Sequence, residues 1–185
     1  MLYNHRMKLS RGNVRPTTGK VQGALFNILR ASQDIDGARF LDLFSGTGQV
    51  ALEALSRGAT SVVAVESSRV QARLINSRLS EICGEREALC VARDVRRAIP
   101  SLAKGRAFSV IFADPPYGMG WGESLPKLIA SHDAILAPGG LLVLERSIRD
   151  RASDASDLGG AFTGRDDRAY GDTVLSFYRK IKTGE

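Results

Sequence analysis

The stretch "LDLFSGTGQVALEAL", residues 41–55, decides the fold. An apolar run, Arg39–Phe44 (RFLDLF), meets a glycine-containing turn and then Gly48–Arg57, whose apolar residues recur at helical spacing. A strand followed at once by a glycine turn and a helix opens a parallel β-α-β unit. Outward from it the pattern repeats. Ser61–Glu66 (SVVAVE), Ala88–Ala92, Phe108–Ala113 and Gly140–Glu145 (GLLVLE) read as strands, rich in Val, Ile, Leu and Phe as strands buried on both faces are. Ser68–Ile82, Arg96–Lys104 and Glu123–Leu136 read as helices, the last closed by Pro138-Gly139-Gly140.

The alternation predicts a Rossmann-like, doubly wound, mostly parallel sheet with helices on both faces. Asp172–Ile181 (DTVLSFYRKI) reads as a further long strand, and with no helix signal after Arg168 it is expected to pair antiparallel. Ahead of the first strand, Thr17–Ala31 reads as a helix with Val21, Leu25, Ile28 and Leu29 on one face and Thr17 or Thr18 as its N-cap.

The chain has 185 residues, expected to form one domain over 1–185 with residues 1–16 as a basic N-terminal arm. Its 43% hydrophobic and 25% charged content is ordinary for a soluble globular protein. No apolar run approaches the roughly 20 residues that span a bilayer. The N-terminal MLYNHRMKLSRG lacks the apolar core of a secretory signal. Cys83 and Cys90, the only cysteines, show no metal-like spacing; no metal is expected, and a cytoplasmic location is. The net charge of +6 is uneven: no acid precedes Asp34, while Arg6, Lys8, Arg11, Arg15, Lys20 and Arg30 all lie before it. That asymmetry favours a polyanionic partner, nucleic acid first.

Gly46, Gly48 and Ala51 satisfy the G-x-G-x-x-G/A spacing, and Glu66 ends the next strand, where an acid can hold ribose hydroxyls. Asp42, just before the loop, argues against a dinucleotide, because a carboxylate aimed into the crevice repels a pyrophosphate. It attracts the ammonium and sulfonium of S-adenosylmethionine (SAM). Asp94 is placed to accept from an adenine amino group, and equally to cap the helix beginning near Arg96. Phe44, Thr47 and Val95 flank these residues and complete the expected cofactor set.

The second chemical signal is Asp114-Pro115-Pro116-Tyr117, at a strand's carboxyl end, where such sheets bind ligands. At average residue usage this tetrapeptide occurs in about one chain in a thousand of this length. With the glycine loop, it resembles the amino-methyltransferases of the class I SAM-dependent fold, whose hallmark is [DNS]-P-P-[YFW]. Asp114 and the Pro115 carbonyl can each accept one N–H of an exocyclic amine, aiming its lone pair at the methyl group. The prolines supply rigidity, and Tyr117 offers a face for a flipped-out base.

"VRPTTGKVQGALFNIL" (14–29), "LDLFSGTGQVALEALSRGA", "VVAVE", "DPPY" and "YGDTVLSFY" together resemble the RsmD-like family. The resemblance implies a seven-stranded sheet with the last long strand antiparallel, SAM as cofactor, and methylation of a guanine N2 in small-subunit (16S) ribosomal RNA. It also implies a partner that is ribosomal RNA within the small subunit or an assembly intermediate. Arg6, Lys8, Arg11, Arg15, Thr17, Thr18 and Lys20 would then contact RNA. The protein is expected to be a monomer.

Two departures stand out. Gly19-Lys20 and Gln22-Gly23 occupy places where the family carries Asp-Arg and Arg-Glu pairs, and the basic arm looks shortened to residues 1–12. Three other readings remain. A DNA adenine-N6 methyltransferase normally needs an added recognition domain. A protein-glutamine methyltransferase favours Asn before the prolines. A non-catalytic RNA-binding assembly factor has no physical need for Asp42, Glu66 and Asp114 together. Trp121 and Met119 are expected to pack beneath the following helix rather than line a base pocket.

Overall fold

Strands apolar at nearly every position have no face to offer water, so helices must cover both sides. The computed structural model describes residues 19–182 and shows that arrangement. The chain runs α1 (Gly19–Ala31), β1 (Arg39–Leu43), α2 (Gln49–Ser56), β2 (Ser61–Glu66), α3 (Arg69–Ile82), β3 (Glu87–Ala92) and α4 (Val95–Leu102). It continues through β4 (Phe108–Ala113), α5 (Trp121–Ser131), β5 (Leu136–Ser147), β6 (Phe162–Tyr170) and β7 (Thr173–Lys180). The seven strands form one sheet of order β3-β2-β1-β4-β5-β7-β6. The first five are parallel, and β7 runs antiparallel to both β5 and β6.

Strand alternation divides the core cleanly. Phe40, Val62, Ala64, Val110, Phe112, Leu141 and Val143 pack against α1, α2 and α3. Leu41, Leu43, Val63, Val65, Ile111, Ala113, Leu142 and Leu144 pack against α4 and α5. Asp42, Glu66, Asp114 and Glu145 continue the first series, so four carboxyl groups lie at the carboxyl edge on the α1–α3 face.

Several expected boundaries moved. The expected helix over Glu123–Leu136 is α5 plus a short 3-10 turn, Asp133–Ile135. Pro138-Gly139-Gly140 does not end that helix. It sits inside β5, where pairing with β4 slips between Phe108 and Val110, as a bulge does. Strand β6 escaped sequence reading because FTGRDDRAY has no apolar run and most of it is exposed, as suits a charged edge strand. β1 ends at Leu43 because Phe44 turns into the left-handed region, with φ 60. Helix α1 forms despite Gly19 and Gly23; its buried residues are Val21, Leu25, Phe26 and Leu29, and Ile28 is half-buried against the same core, so Phe26 joins the expected face. The expected cap at Thr17 or Thr18 and the arm over 1–16 lie outside the described residues. Among the described residues no helix is long and apolar enough to cross a membrane.

The two loop glycines differ in what a side chain would meet. At Gly48, φ is 77 and a Cβ would stand 2.9 Å from Ile75 Cγ1 on α3. At Gly46, φ is 56 and the nearest atom would be the Phe44 oxygen at 3.9 Å. Gly46→Ala is therefore expected to cost about 1–2 kcal/mol, from left-handed strain alone. Gly48→Ala adds overpacking and should cost about 2–4 kcal/mol. Urea denaturation of the two variants measures the difference; equal losses would remove the Ile75 contact from the explanation.

Candidate active site

The turn after β1 is held from beneath by Asp42. Its carboxylate is 1% exposed. Oδ2 accepts from the Ser45 hydroxyl at 2.7 Å and from the Ala51 N–H, in the first turn of α2, at 3.2 Å. Gly48 closes the turn, its N–H donating to the Ser45 carbonyl at 2.7 Å. Asp42 therefore sits just before the loop as expected, but its carboxyl is buried and bonded inward to the turn rather than aimed into the crevice. Burial is the main reason its carboxyl is pushed up to about 7; Asp114 and Glu66 push the same way, and the bonds from Ser45 and Ala51 oppose it.

Glu66 ends β2 and joins two loops. Oε2 accepts from the Gly46 N–H at 2.9 Å and Oε1 from the Ser68 N–H at 2.8 Å. Thr47 is exposed at the loop's outer side, and its carbonyl accepts from Arg78 of α3 at 3.3 Å. Asp94 caps α4, with Oδ1 accepting the Arg96 N–H at 2.9 Å. Val95 beside it is 3% exposed and packs into the core.

Phe44 keeps its unusual backbone because its ring is fixed edge-on against Trp121, centroids 4.8 Å apart. The Arg96 guanidinium lies 3.9 Å over the same indole. Trp121, 4% exposed at the head of α5, is packed as expected; Met119, expected to pack with it, is instead 61% exposed in the turn ahead of the helix.

The Asp114-Pro115-Pro116-Tyr117 corner follows β4. Pro115 is buried, Pro116 exposed and Tyr117 half-buried. The Asp114 N–H reaches back to the Leu43 carbonyl at 3.5 Å, tying the corner to β1. Gly118 donates its N–H to Asp150 Oδ1 at 3.2 Å. The Tyr117 hydroxyl donates to Glu145 Oε1 at 3.4 Å and lies 3.4 Å from Thr173 Oγ1. Burial is the main cause of its rise to about 12. "YGDTVLSFY", over 100 Å of extended chain away at roughly 3.3 Å per residue, thus delivers Thr173 to the ring.

Sequence reading missed Glu145 as a site residue. It is 2% exposed at the end of β5, and Oε2 is buried with no hydrogen-bond partner. Burial first, then the charge of Asp114, pushes its carboxyl up to about 8. Of the expected RNA contacts, Lys20 is exposed at the start of α1. Arg6, Lys8, Arg11, Arg15, Thr17 and Thr18 lie outside the described residues. Among the described residues no cluster of three or more metal-ligating side chains occurs. Cys83 and Cys90 are free thiols.

An antiparallel final strand inserted beside β5 sets this sheet apart from dinucleotide-binding ones, and the fold is that of the class I SAM-dependent methyltransferases. The solved structure of a putative methyltransferase, yhhF, from Escherichia coli superposes with a TM-score of 0.73 at 26% identity, over 91% of this chain and 89% of that one. Residues 3–179 match the family described as conserved hypothetical protein 95, and the chain belongs to that family, the RsmD-like group. It is 32% identical over 169 residues to the putative rRNA methyltransferase YlbH of Bacillus subtilis, covering 91% of this chain and 89% of that protein. It is 34% identical over 140 residues to ribosomal RNA small subunit methyltransferase D of Escherichia coli, covering 74% of this chain and 66% of that one.

The raised Asp42 carboxyl has a consequence for stability. Unfolded, the group titrates near 3.8; folded, it holds its proton to about 7. Between these values the folded chain binds the extra proton, so stability falls as pH rises. From pH 5 to 8 the wild type should lose about 2–3 kcal/mol more unfolding free energy than Asp42→Asn, measured by urea denaturation. Equal losses would mean that Asp42 is ionised in the fold.

Proposed function

We propose that the protein transfers a methyl group from SAM to the exocyclic N2 amine of a guanine in small-subunit ribosomal RNA, the base being flipped onto the Asp114-Tyr117 corner. The observation that carries this reading is the rigid D-P-P-Y corner beside the glycine turn of β1, in a chain of the RsmD-like family. The chain's own residues fit the cofactor. Gly46, at φ 56, has no atom nearer than 3.9 Å to where a Cβ would stand, so a ligand can approach the backbone. Glu66 beside it offers carboxylate oxygens to a ribose diol, and Asp94 keeps a second carboxylate oxygen beyond its cap. Asp42 shapes the loop from beneath. Bound SAM supplies an electrophilic methyl group.

Asp114 and the Pro115 carbonyl accept the two N–H bonds of the target amine. Two acceptors on one nitrogen draw it out of conjugation with the ring and aim its lone pair. Methylation makes that nitrogen acidic, so its proton can leave afterwards to Asp114 or water. The Tyr117 ring stacks on the base, held by Glu145 and Thr173. Lys20 at the start of α1, with Arg6, Lys8, Arg11, Arg15, Thr17 and Thr18 earlier in the sequence, meets RNA phosphates.

The test uses labelled SAM and small subunits from a strain lacking this methylation. Nucleoside mass spectrometry is expected to find N2-methylguanosine; label in N6-methyladenosine, or on protein alone, would overturn the reading. Asp114→Ala should lose at least about 100-fold in kcat while its calorimetric Kd for SAM stays within about threefold. Glu66→Ala should weaken SAM binding about tenfold or more.

A further inference from the structure

Arg39, Arg57, Arg146, Arg165, Arg168 and Arg179 are committed to ion pairs. The stretch Arg93-Asp94-Val95-Arg96-Arg97, at the head of α4, is different. Its three arginines are exposed, and among the described residues none of their side chains makes an ion pair. Asp94, the acid among them, gives one oxygen to the Arg96 N–H. Residues 1–18 contain no Asp or Glu, so that segment has no carboxylate side chain to neutralise the three. Arg96 is also fixed in place, its guanidinium 3.9 Å over the Trp121 indole. A guanidinium laid flat on a ring keeps its N–H donors in its own plane, directed outward around the edge. Trp121 in turn heads α5, lies edge-on to Phe44 of the glycine turn at 4.8 Å, and follows Tyr117 by at most about 14 Å of chain. Arg96 thus rests on a side chain that the cofactor turn and the amine corner share as a neighbour.

Resting on the RNA-methylating reading of this corner, we propose that Arg93, Arg96 and Arg97 form a phosphate-binding rim for the RNA strand whose base enters it. Arg96 is the fixed point of the rim. The indole holds its guanidinium flat, and the outward edge matches two oxygens of one phosphate. Stacking also removes in advance the rotamer freedom that a long side chain loses on binding. Arg93 and Arg97, exposed on either side in the sequence, add charge that draws the strand in. Such contacts reach only the RNA backbone, so the rim holds the strand in register while the corner chooses the base. The rim belongs to the sheet's own loops and is separate in sequence from the basic residues that precede α1. A guanidinium that merely shielded Trp121 from water would serve packing alone, and an uncharged cover would then do as well.

Fluorescence anisotropy of a labelled single-stranded RNA carrying one guanine, titrated with the full chain between about 0.05 and 0.3 M salt, tests this. Arg96→Gln should weaken binding about tenfold near 0.1 M salt and flatten the dependence of log affinity on log salt by about 0.7, one phosphate on a single strand. Arg96→Lys should recover that slope yet bind about threefold more weakly than the wild type, having no planar fork. Arg93→Gln with Arg97→Gln should flatten the slope by about 1 to 1.5. Lys104→Gln with Arg106→Gln removes the same charge from exposed positions ahead of β4, at the opposite edge of the sheet, and should leave affinity within about twofold. The calorimetric Kd for SAM should stay within about threefold in every variant, and the losses should be the same when adenine replaces the guanine. Equal losses in the two double variants would mean that net charge alone attracts RNA, and would overturn the rim. Wild-type RNA affinity in the rim variants would overturn it too; if they also lost methylation of intact small subunits, the arginines would meet a ribosomal protein instead. An Arg96→Gln chain that loses SAM and RNA binding together, with the Arg93 and Arg97 pair unaffected, would make Arg96 a cover for the indole and likewise overturn the proposal. Label in N6-methyladenosine with the rim losses intact refutes the guanine reading and leaves the rim standing.

Discussion

Carboxyl groups crowd one edge of this sheet, and their mutual repulsion is the constraint around which the site is built. In the order β3-β2-β1-β4-β5, each strand brings one: Asp94 just beyond β3, Glu66, Asp42, Asp114 just beyond β4, and Glu145. Such a row is unfavourable unless each charge is bonded, neutralised or left in water. Four of the five are accommodated in different ways. Asp94 is exposed and caps a helix. Glu66 takes backbone N–H groups from two loops, and Asp42 is buried under a hydroxyl and a helix N–H. Glu145 is pushed towards its neutral form.

The corner after β4 is stiff for reasons that reach beyond its two prolines. Tyr117 is anchored by side chains from β5 and β7, and Gly118 by Asp150. The Asp150 segment is in turn held by Arg146, whose carbonyl acceptors include Ser147 and Asp150. Arg146 is paired with Asp167 of β6, and Arg165 of β6 donates to the carbonyls of Ala152 and Ser153. The charged β6–β7 hairpin is thus the outer brace of the chemical corner. An edge strand that looks like mere solvated surface in the sequence supports the segment that holds the corner at Gly118.

Much of this was legible in the sequence, and the legible parts share a cause. The strand-turn-helix at 41–55, the five parallel strands and the Asp114–Tyr117 corner are written in contiguous residues, because burial on both faces and tight turns impose local composition. Where reading failed, the deciding partner was remote. The Pro-Gly-Gly in β5 looks like a helix stop until β4 is there to pair around it. β6 has too few apolar residues to announce itself without β7 alongside. Helix α1 carries two glycines, which weaken a helix taken alone, yet the burial of Leu25, Phe26 and Leu29 secures it.

By itself, then, the sequence determined the doubly wound sheet, the glycine turn, the acid that ends β2 and the Asp114–Tyr117 corner after β4. Glu145 was visible only as the last letter of an apolar strand. Two facts turned it into part of the site: the register setting Asp114 beside it, and the alternation aiming both to the α1–α3 face. Neither can be read from one strand alone, since register and facing belong to a pair of strands. Only the tertiary structure brings Tyr117, Glu145 and Thr173 together, because a buried hydroxyl and a buried carboxyl must find partners wherever in the chain those partners lie.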